Sequence, residues 1–139
     1  MLKTKKSPSR KVVKKSVKKV ADETEQLKDN IVLGMQEKKA KEIVCIDLRP
    51  LKNAVTDFFI VCHADSRTHI ESIARSIEEY VFTKTKEDPI YKEGFTNAEW
   101  ILLDYTNVVA HIFLKEKRDF YGIERLWADA EIQKIATNN

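Results

Sequence analysis

Trp100-Ile-Leu-Leu-Asp-Tyr-Thr-Asn-Val-Val-Ala-His-Ile-Phe-Leu114 decides the fold. Two near-continuous apolar runs flank a short polar turn, so strands at Trp100–Asp104 and Val108–Leu114 are predicted to pair as a hairpin. Arg118-Asp-Phe-Tyr-Gly-Ile-Glu-Arg-Leu-Trp-Ala-Asp-Ala130 follows and is aromatic-rich. A last helix is predicted over about Phe120–Ala130. No acid/base pair, metal cluster or phosphate loop is embedded in this third of the chain. A segment this apolar and this poor in reactive groups suggests a surface that docks rather than one that reacts.

Upstream of the hairpin, helical and extended patterns alternate. Asp22 and Glu25 have the spacing of a capping box, and Leu27, Ile31 and Met35 recur at helical spacing, which predicts a first helix from Asp22 to about Lys39. Ile43–Leu48 reads as a strand. Arg49–Asn53 is a loop, because Pro50 lacks a donor and pushes Arg49 extended. About Asp57–His63 reads as a strand covered on both faces. Ser66 or Thr68 then caps a long helix with an apolar stripe of Ile70, Ile73, Ala74, Ile77, Tyr80 and Val81. Ile90-Tyr91 is expected as a short edge strand. The order mixes hairpins with a helical crossover, so the predicted class is α/β (α+β), a mixed β-sheet flanked by helices.

Charge divides the chain unevenly. The overall net charge is +3, but residues 1–20 hold nine Lys/Arg and no Asp/Glu. Residues 21–139 retain 16 basic and 22 acidic residues, a net of −6. A disordered basic arm is expected over 1–21, a single folded domain over 22–130 and a flexible tail over 131–139. Such an arm is solvated by default and can attach to RNA phosphates. No apolar run approaches the roughly 20 residues a membrane span needs. The basic start has no apolar core of a secretory signal, so a cytoplasmic protein with free thiols at Cys45 and Cys62 is expected.

The sequence carries no recognised reactive constellation. No Walker, dinucleotide or G-x-S-x-G pattern is present. Cys62 and His63 are adjacent and so point to opposite faces of a strand, and no C-x-x-C or H-x-x-x-H spacing offers a metal site. His63 and His69 read as surface or capping residues, and His111 as a satisfied or half-exposed sheet residue. No cofactor is expected, and the chain is read as a non-enzyme. Candidate contact residues are aromatic, since Trp and Tyr desolvate much area at low entropic cost. Trp127, beside Ile123 and Leu126, is assigned to packing. Trp100, opening a strand, is assigned to contact.

Five segments, in order, resemble the Iojap/RsfS family of ribosomal silencing factors. They are Ile43-Val-Cys-Ile-Asp-Leu48, Thr56-Asp-Phe-Phe-Ile-Val-Cys-His63, Ser66-Arg-Thr-His-Ile70, the hairpin with Glu99, and Phe120-Tyr-x-x-Glu124-x-Leu-Trp127. The resemblance covers roughly 24–130. It implies a small domain shaped like a nucleotidyltransferase. The chain lacks that class's chemistry: none of its glycines precedes a serine, and no Asp-x-Asp pair exists. Asp57 is read as a hydrogen-bonding residue at a strand start. The resemblance also implies binding to the large ribosomal subunit through ribosomal protein L-fourteen, which would block subunit joining and repress translation. Implied docking residues are Trp100, Leu102, Asp104, Lys115, Arg118 and Tyr121, with Arg67 and His69 at a helix start in a less defined role. Contact of the basic arm with rRNA, a homodimeric free form and no membrane partner complete the expectations. One departure is the turn, where the family's Asp-x-Gly-Asp becomes Asp104-Tyr-Thr-Asn107, with Asn107 expected to supply a positive φ. The alternatives are a nucleotidyltransferase-like enzyme and a general RNA-binding protein acting through the arm.

Overall fold

A computed structural model of the chain describes residues 10–136, with side chains from Lys19 onward. The readings that fall on residues 1–9 and 137–139 lie outside the described residues. The elements run α1 (Arg10–Glu37), β1 (Lys41–Asp47), β2 (Phe58–Ala64), α2 (Arg67–Thr85), β3 (Tyr91–Glu93), β4 (Trp100–Asp104), β5 (Val108–Leu114), α3 (Lys115–Tyr121), α4 (Ile123–Leu126) and β6 (Glu131–Lys134). The strands form one sheet in the order β3-β4-β5-β2-β1-β6. Among the described residues only β2 and β5 pair in parallel; the other neighbours are antiparallel. This is the mixed sheet flanked by helices that the pattern predicts.

Both long helices lie on one face. Leu27, Ile31 and Met35 of α1 and Ile70, Ile73, Ala74, Ile77 and Val81 of α2 are buried there with alternate residues of the central strands, among them Ile60, Cys62, Ile101, Leu103, Ala110 and Ile112. Gly34 lets the helices touch. A Cβ there would stand 2.7 Å from the Ile77 Cα, and the Ser76 hydroxyl donates to the Gly34 carbonyl at 2.8 Å. Tyr80, expected in the stripe, sits at its margin, where its hydroxyl donates to Glu37. Ser66 is the N-cap of α2, accepting from the His69 N–H. The His69 ring bonds the Lys38 carbonyl and so ties the start of α2 to the end of α1.

Four departures from expectation concern the backbone. Helix α1 does not begin at Asp22 but is already helical at Arg10; no Pro or Gly interrupts residues 10–22, and Thr24 bonds the carbonyl of Val20 four residues back. The predicted helix over 120–130 is two short helices, α3 and α4, broken where Gly122 takes φ 57°. Residues 131–134, read as the start of a tail, form β6 and pair with β1 from Val44↔Lys134 to Asp47↔Glu131. In the β4–β5 turn the positive φ of 79° belongs to Thr106, not Asn107. Asp104 accepts the Thr106 N–H, the Thr106 carbonyl accepts the Thr56 hydroxyl, and Asn107 uses its carbonyl to accept from Asp57 and Phe58. Surrounding bonds therefore hold a β-branched residue where glycine fits best.

Candidate functional site: an aromatic ridge on the second sheet face

Strand alternation puts Trp100, Leu102 and Asp104 on the face turned away from α1 and α2. Their cross-strand partners Phe113, His111 and Val109 share it. Short elements cover this face only in part. Ile123 of α4 and Trp127, Leu51 and Ala54 pack over Val44, Ile46, Phe59 and Val61. Beyond them the face carries a continuous aromatic cluster. Trp100 stacks on Phe113 at 4.9 Å between centroids, and Tyr121 lies 4.8 Å from Trp100. Phe120 meets Tyr121 edge-on. Tyr121 is 43% exposed, Phe120 74% and Leu126 76%. Large apolar groups this open, joined to a packed aromatic layer, are the usual mark of a contact surface.

The predicted contact residues separate into two groups. Trp100 and Leu102 are half-buried and Tyr121 and Lys115 exposed on or beside this ridge. Asp104 is half-buried at the far end, where it holds the turn. Arg118 is different, being only 7% exposed. Its Nε and Nη2 donate to the two carboxylate oxygens of Glu124 at 2.9 and 3.0 Å. Its Nη1 donates to the Glu42 carbonyl at 2.8 Å and meets His63 Nδ1 at 2.9 Å. Glu42 has φ 49°, at the irregularity where β1 leaves register with β2. One guanidinium thus ties β1, β2 and α4 together, and its donors face inward. His63 is accordingly a buried partner and not the surface residue expected. The Arg118 guanidinium holds the Glu124 carboxyl below the usual carboxylate range. Burial, then the Arg118 charge, lowers the His63 pKa.

His111 lies under the ridge. Its Nδ1 accepts from the Trp100 indole N–H at 3.0 Å, which fixes the neutral tautomer with its proton on Nε2. That Nε2 has no hydrogen-bond partner among the described residues; the ring instead stands edge-on to Phe59 at 4.5 Å. Burial pushes the His111 pKa down to about 3. The residue is buried and only half satisfied, unlike the satisfied or half-exposed histidine expected. Trp127, assigned to packing, is half-buried against Phe59 at 5.9 Å. The two tryptophans therefore differ less than the sequence suggests, since each covers part of the same face.

Charges ring the ridge. Glu99 is paired with Arg67 at 2.8 Å and Lys117 at 3.7 Å, and Lys117 lies over the Phe120 ring. Arg67 also donates to the Asn97 carbonyl, so its described role is to brace the segment entering β4. Asp47 accepts both bonds of the Arg49 fork. Among the described residues no group of three or more His, Cys, Asp or Glu is placed to hold a metal ion. The thiols of Cys45 and Cys62 are buried, and burial pushes Cys62 up to about 12. No described helix is long and apolar enough to cross a membrane. Phe120 and Leu126, both exposed, were not among the predicted contact residues; their signal was a large apolar side chain beside charged neighbours in a short helix.

The fold and this face define an α+β domain with two helices behind its sheet and an aromatic ridge in front. A family model described as "Ribosomal silencing factor during starvation" (RsfS) matches residues 8–139, and the chain belongs to that family. It is 35% identical over 102 residues to the ribosomal silencing factor RsfS of Bacillus subtilis, covering 71% of this chain and 82% of that one. It is 28% identical over 114 residues to the mouse "Mitochondrial assembly of ribosomal large subunit protein 1", covering 78% of this chain and 50% of that one. Among solved structures, a crystal structure from Chromobacterium violaceum superposes with a TM-score of 0.70 at 28% identity, covering 75% of this chain and 85% of that one.

Proposed function

We propose that this chain binds the large ribosomal subunit through ribosomal protein L-fourteen and blocks subunit joining by its bulk, repressing translation in the cytoplasm. The observation that carries the reading is the ridge of Trp100, Tyr121 and Phe120, stacked on Phe113 of the sheet, with Leu126 exposed on α4. The family's description as a silencing factor supports a ribosomal target, and the mouse relative is named for the large subunit. Trp100, Leu102 and Tyr121 form the apolar centre of the contact, and Lys115 and Asp104 lie at its rim. Arg118 contributes from behind by holding α4. The net −6 of residues 21–139 complements a basic ribosomal protein. Steric exclusion needs affinity and volume, and no reaction.

The test is sedimentation with separated subunits. The protein is expected to travel with the large subunit and not the small one, and to reduce joining at stoichiometric excess. Phe120→Ala with Tyr121→Ala is expected to weaken binding by about thirtyfold or more, as for a lost hot spot, without unfolding the domain, because both rings are exposed. Equal sedimentation with both subunits, or full affinity in the double variant, would sink the reading.

A further inference from the structure

Trp100 and His111 are diagonal neighbours on the ridge face. Trp100 pairs with Phe113 across the β4–β5 ladder, and His111 pairs with Leu102, one same-face step along. The Trp100 indole N–H donates to His111 Nδ1 at 3.0 Å. An indole has one donor and no acceptor, so this bond uses the whole hydrogen-bonding capacity of Trp100. To offer Nδ1 the imidazole must carry its proton on Nε2, and that donor is buried with no partner among the described residues. His111 is only 3% exposed, and burial favours the neutral ring, which keeps Nδ1 an acceptor. Stacking alone does not orient the indole. The torsion that turns a flat ring has broad, roughly two-fold preferences, and contact with Phe113 and Tyr121 does not distinguish one edge of the ring from the other. The bond to His111 selects the orientation with the N–H edge toward the sheet.

We propose that His111 is a positioning residue of the docking ridge: it holds the Trp100 N–H inward, so that the partner meets this indole through its carbon edge and face alone. The surface that receives Trp100 is then an apolar pocket of a protein. Phosphates and base edges are rich in acceptors, and a Trp100 turned this way has no donor to offer them. The same account explains the unpaired Nε2. A leucine at 111 would fill the site with no buried polar atom, but it would leave the indole untethered. Ordering the indole before contact removes the cost of ordering it on binding. The proposal rests on the docking reading and adds to it which part of Trp100 faces the partner and what holds it so.

The test uses the full chain and purified large ribosomal subunits. His111→Leu removes the acceptor and keeps an apolar side chain of similar volume. It is expected to weaken subunit binding about fivefold or more, the loss of one preordered side chain, with an unchanged or raised thermal midpoint. His111→Asn keeps an acceptor oxygen at the same point of the side chain as Nδ1 and is expected to bind within about twofold of the parent. In a Trp100→Phe background there is no N–H to hold, and His111→Leu is expected to change affinity by less than about twofold. Parental affinity in His111→Leu overturns the proposal. So does a loss in His111→Asn as large as in His111→Leu, and so does an equal loss from His111→Leu in both backgrounds, which would show a merely structural role. A nitrogen–nitrogen coupling across the Trp100–His111 hydrogen bond, read by NMR on the isotope-labelled free chain, tests the tie without any variant, and its absence overturns the proposal as well. A parent chain that fails to bind the subunit overturns the docking reading and this proposal with it, whereas a parent that binds while His111→Leu binds equally well overturns this proposal alone.

Discussion

Replacing Arg118 by Met separates an internal tie from a surface contact. The guanidinium makes two charge-assisted bonds to Glu124 and further bonds to the Glu42 carbonyl and His63. Removing one partner of a buried ion pair costs about 3–5 kcal/mol. Glu124 keeps 32% of its side-chain exposure, so water recovers part of its solvation, and about 3 kcal/mol is expected. For a domain of this size that lowers the thermal midpoint by roughly 10 °C. The double variant Arg118→Met with Glu124→Gln removes the stranded carboxylate and is expected to recover about 1 kcal/mol or more. Thermal and urea unfolding of the two variants and the parent chain at neutral pH measure both quantities. The pH dependence gives a second reading. The folded Glu124 pKa is depressed, so its contribution is fully present above the unfolded carboxylate pKa and is lost as pH falls through the folded one. Arg118→Met should flatten that part of the acid limb. A midpoint lowered by less than about 2 °C, as for an ordinary surface substitution, together with weakened ribosome binding, would refute the argument and return Arg118 to the docking surface.

Three further outcomes are expected. Gly34→Ala gains up to about 1 kcal/mol of helix propensity but drives a Cβ to 2.7 Å from the Ile77 backbone, so a net loss of about 2 kcal/mol is expected on unfolding; a stabilised variant would show that α1 and α2 separate freely. Thr106→Gly relieves a φ of 79° in a β-branched residue and is expected to stabilise by about 1 kcal/mol after glycine's entropic cost, with a lowered midpoint arguing that the threonine is not strained. The buried His111 has its folded pKa depressed to about 3, so the unfolded chain takes up a proton that the folded one refuses. Stability should fall as pH drops below about 6.5, by about 1.4 kcal/mol per pH unit. His111→Gln should reduce that slope, as seen by chemical unfolding between pH 7 and pH 5.

Local pattern revealed much of this molecule. The alternation of Trp100, Leu102 and Asp104 against Ile101 and Leu103 gives the two faces of β4 directly, and the stripes of α1 and α2 follow from helical spacing. What was hidden depends on distant partners. Glu131-Ile-Gln-Lys134 has one large apolar residue and becomes a strand only because β1 offers an open edge. Arg118 reads as a surface cation because two of the groups that claim it, His63 and the Glu42 carbonyl, lie 55 and 76 residues away. Gly122 stood within a helical pattern, and only its left-handed φ shows that it divides two helices. The ridge itself was half legible. Trp100 and Tyr121 belong to it, whereas Phe120 and Leu126 emerge only once α3 and α4 are seen to turn them outward.

The place of β6 bears on how the chain is made. Strand β1 pairs with β2 on one side, a partner within reach soon after synthesis. Its other side waits for residues some 90 positions downstream, since Val44 faces Lys134. During translation a nascent chain with β1 to β5 in place presents the backbone of β1 as a bare edge, which any extended peptide can join. From the end of β5 at Leu114 to the start of β6 at Glu131, synthesis at about 5–20 residues per second takes roughly 1–3 s. The window closes when β6 arrives, and its four exposed side chains make it a hydrophilic hem stitched on last.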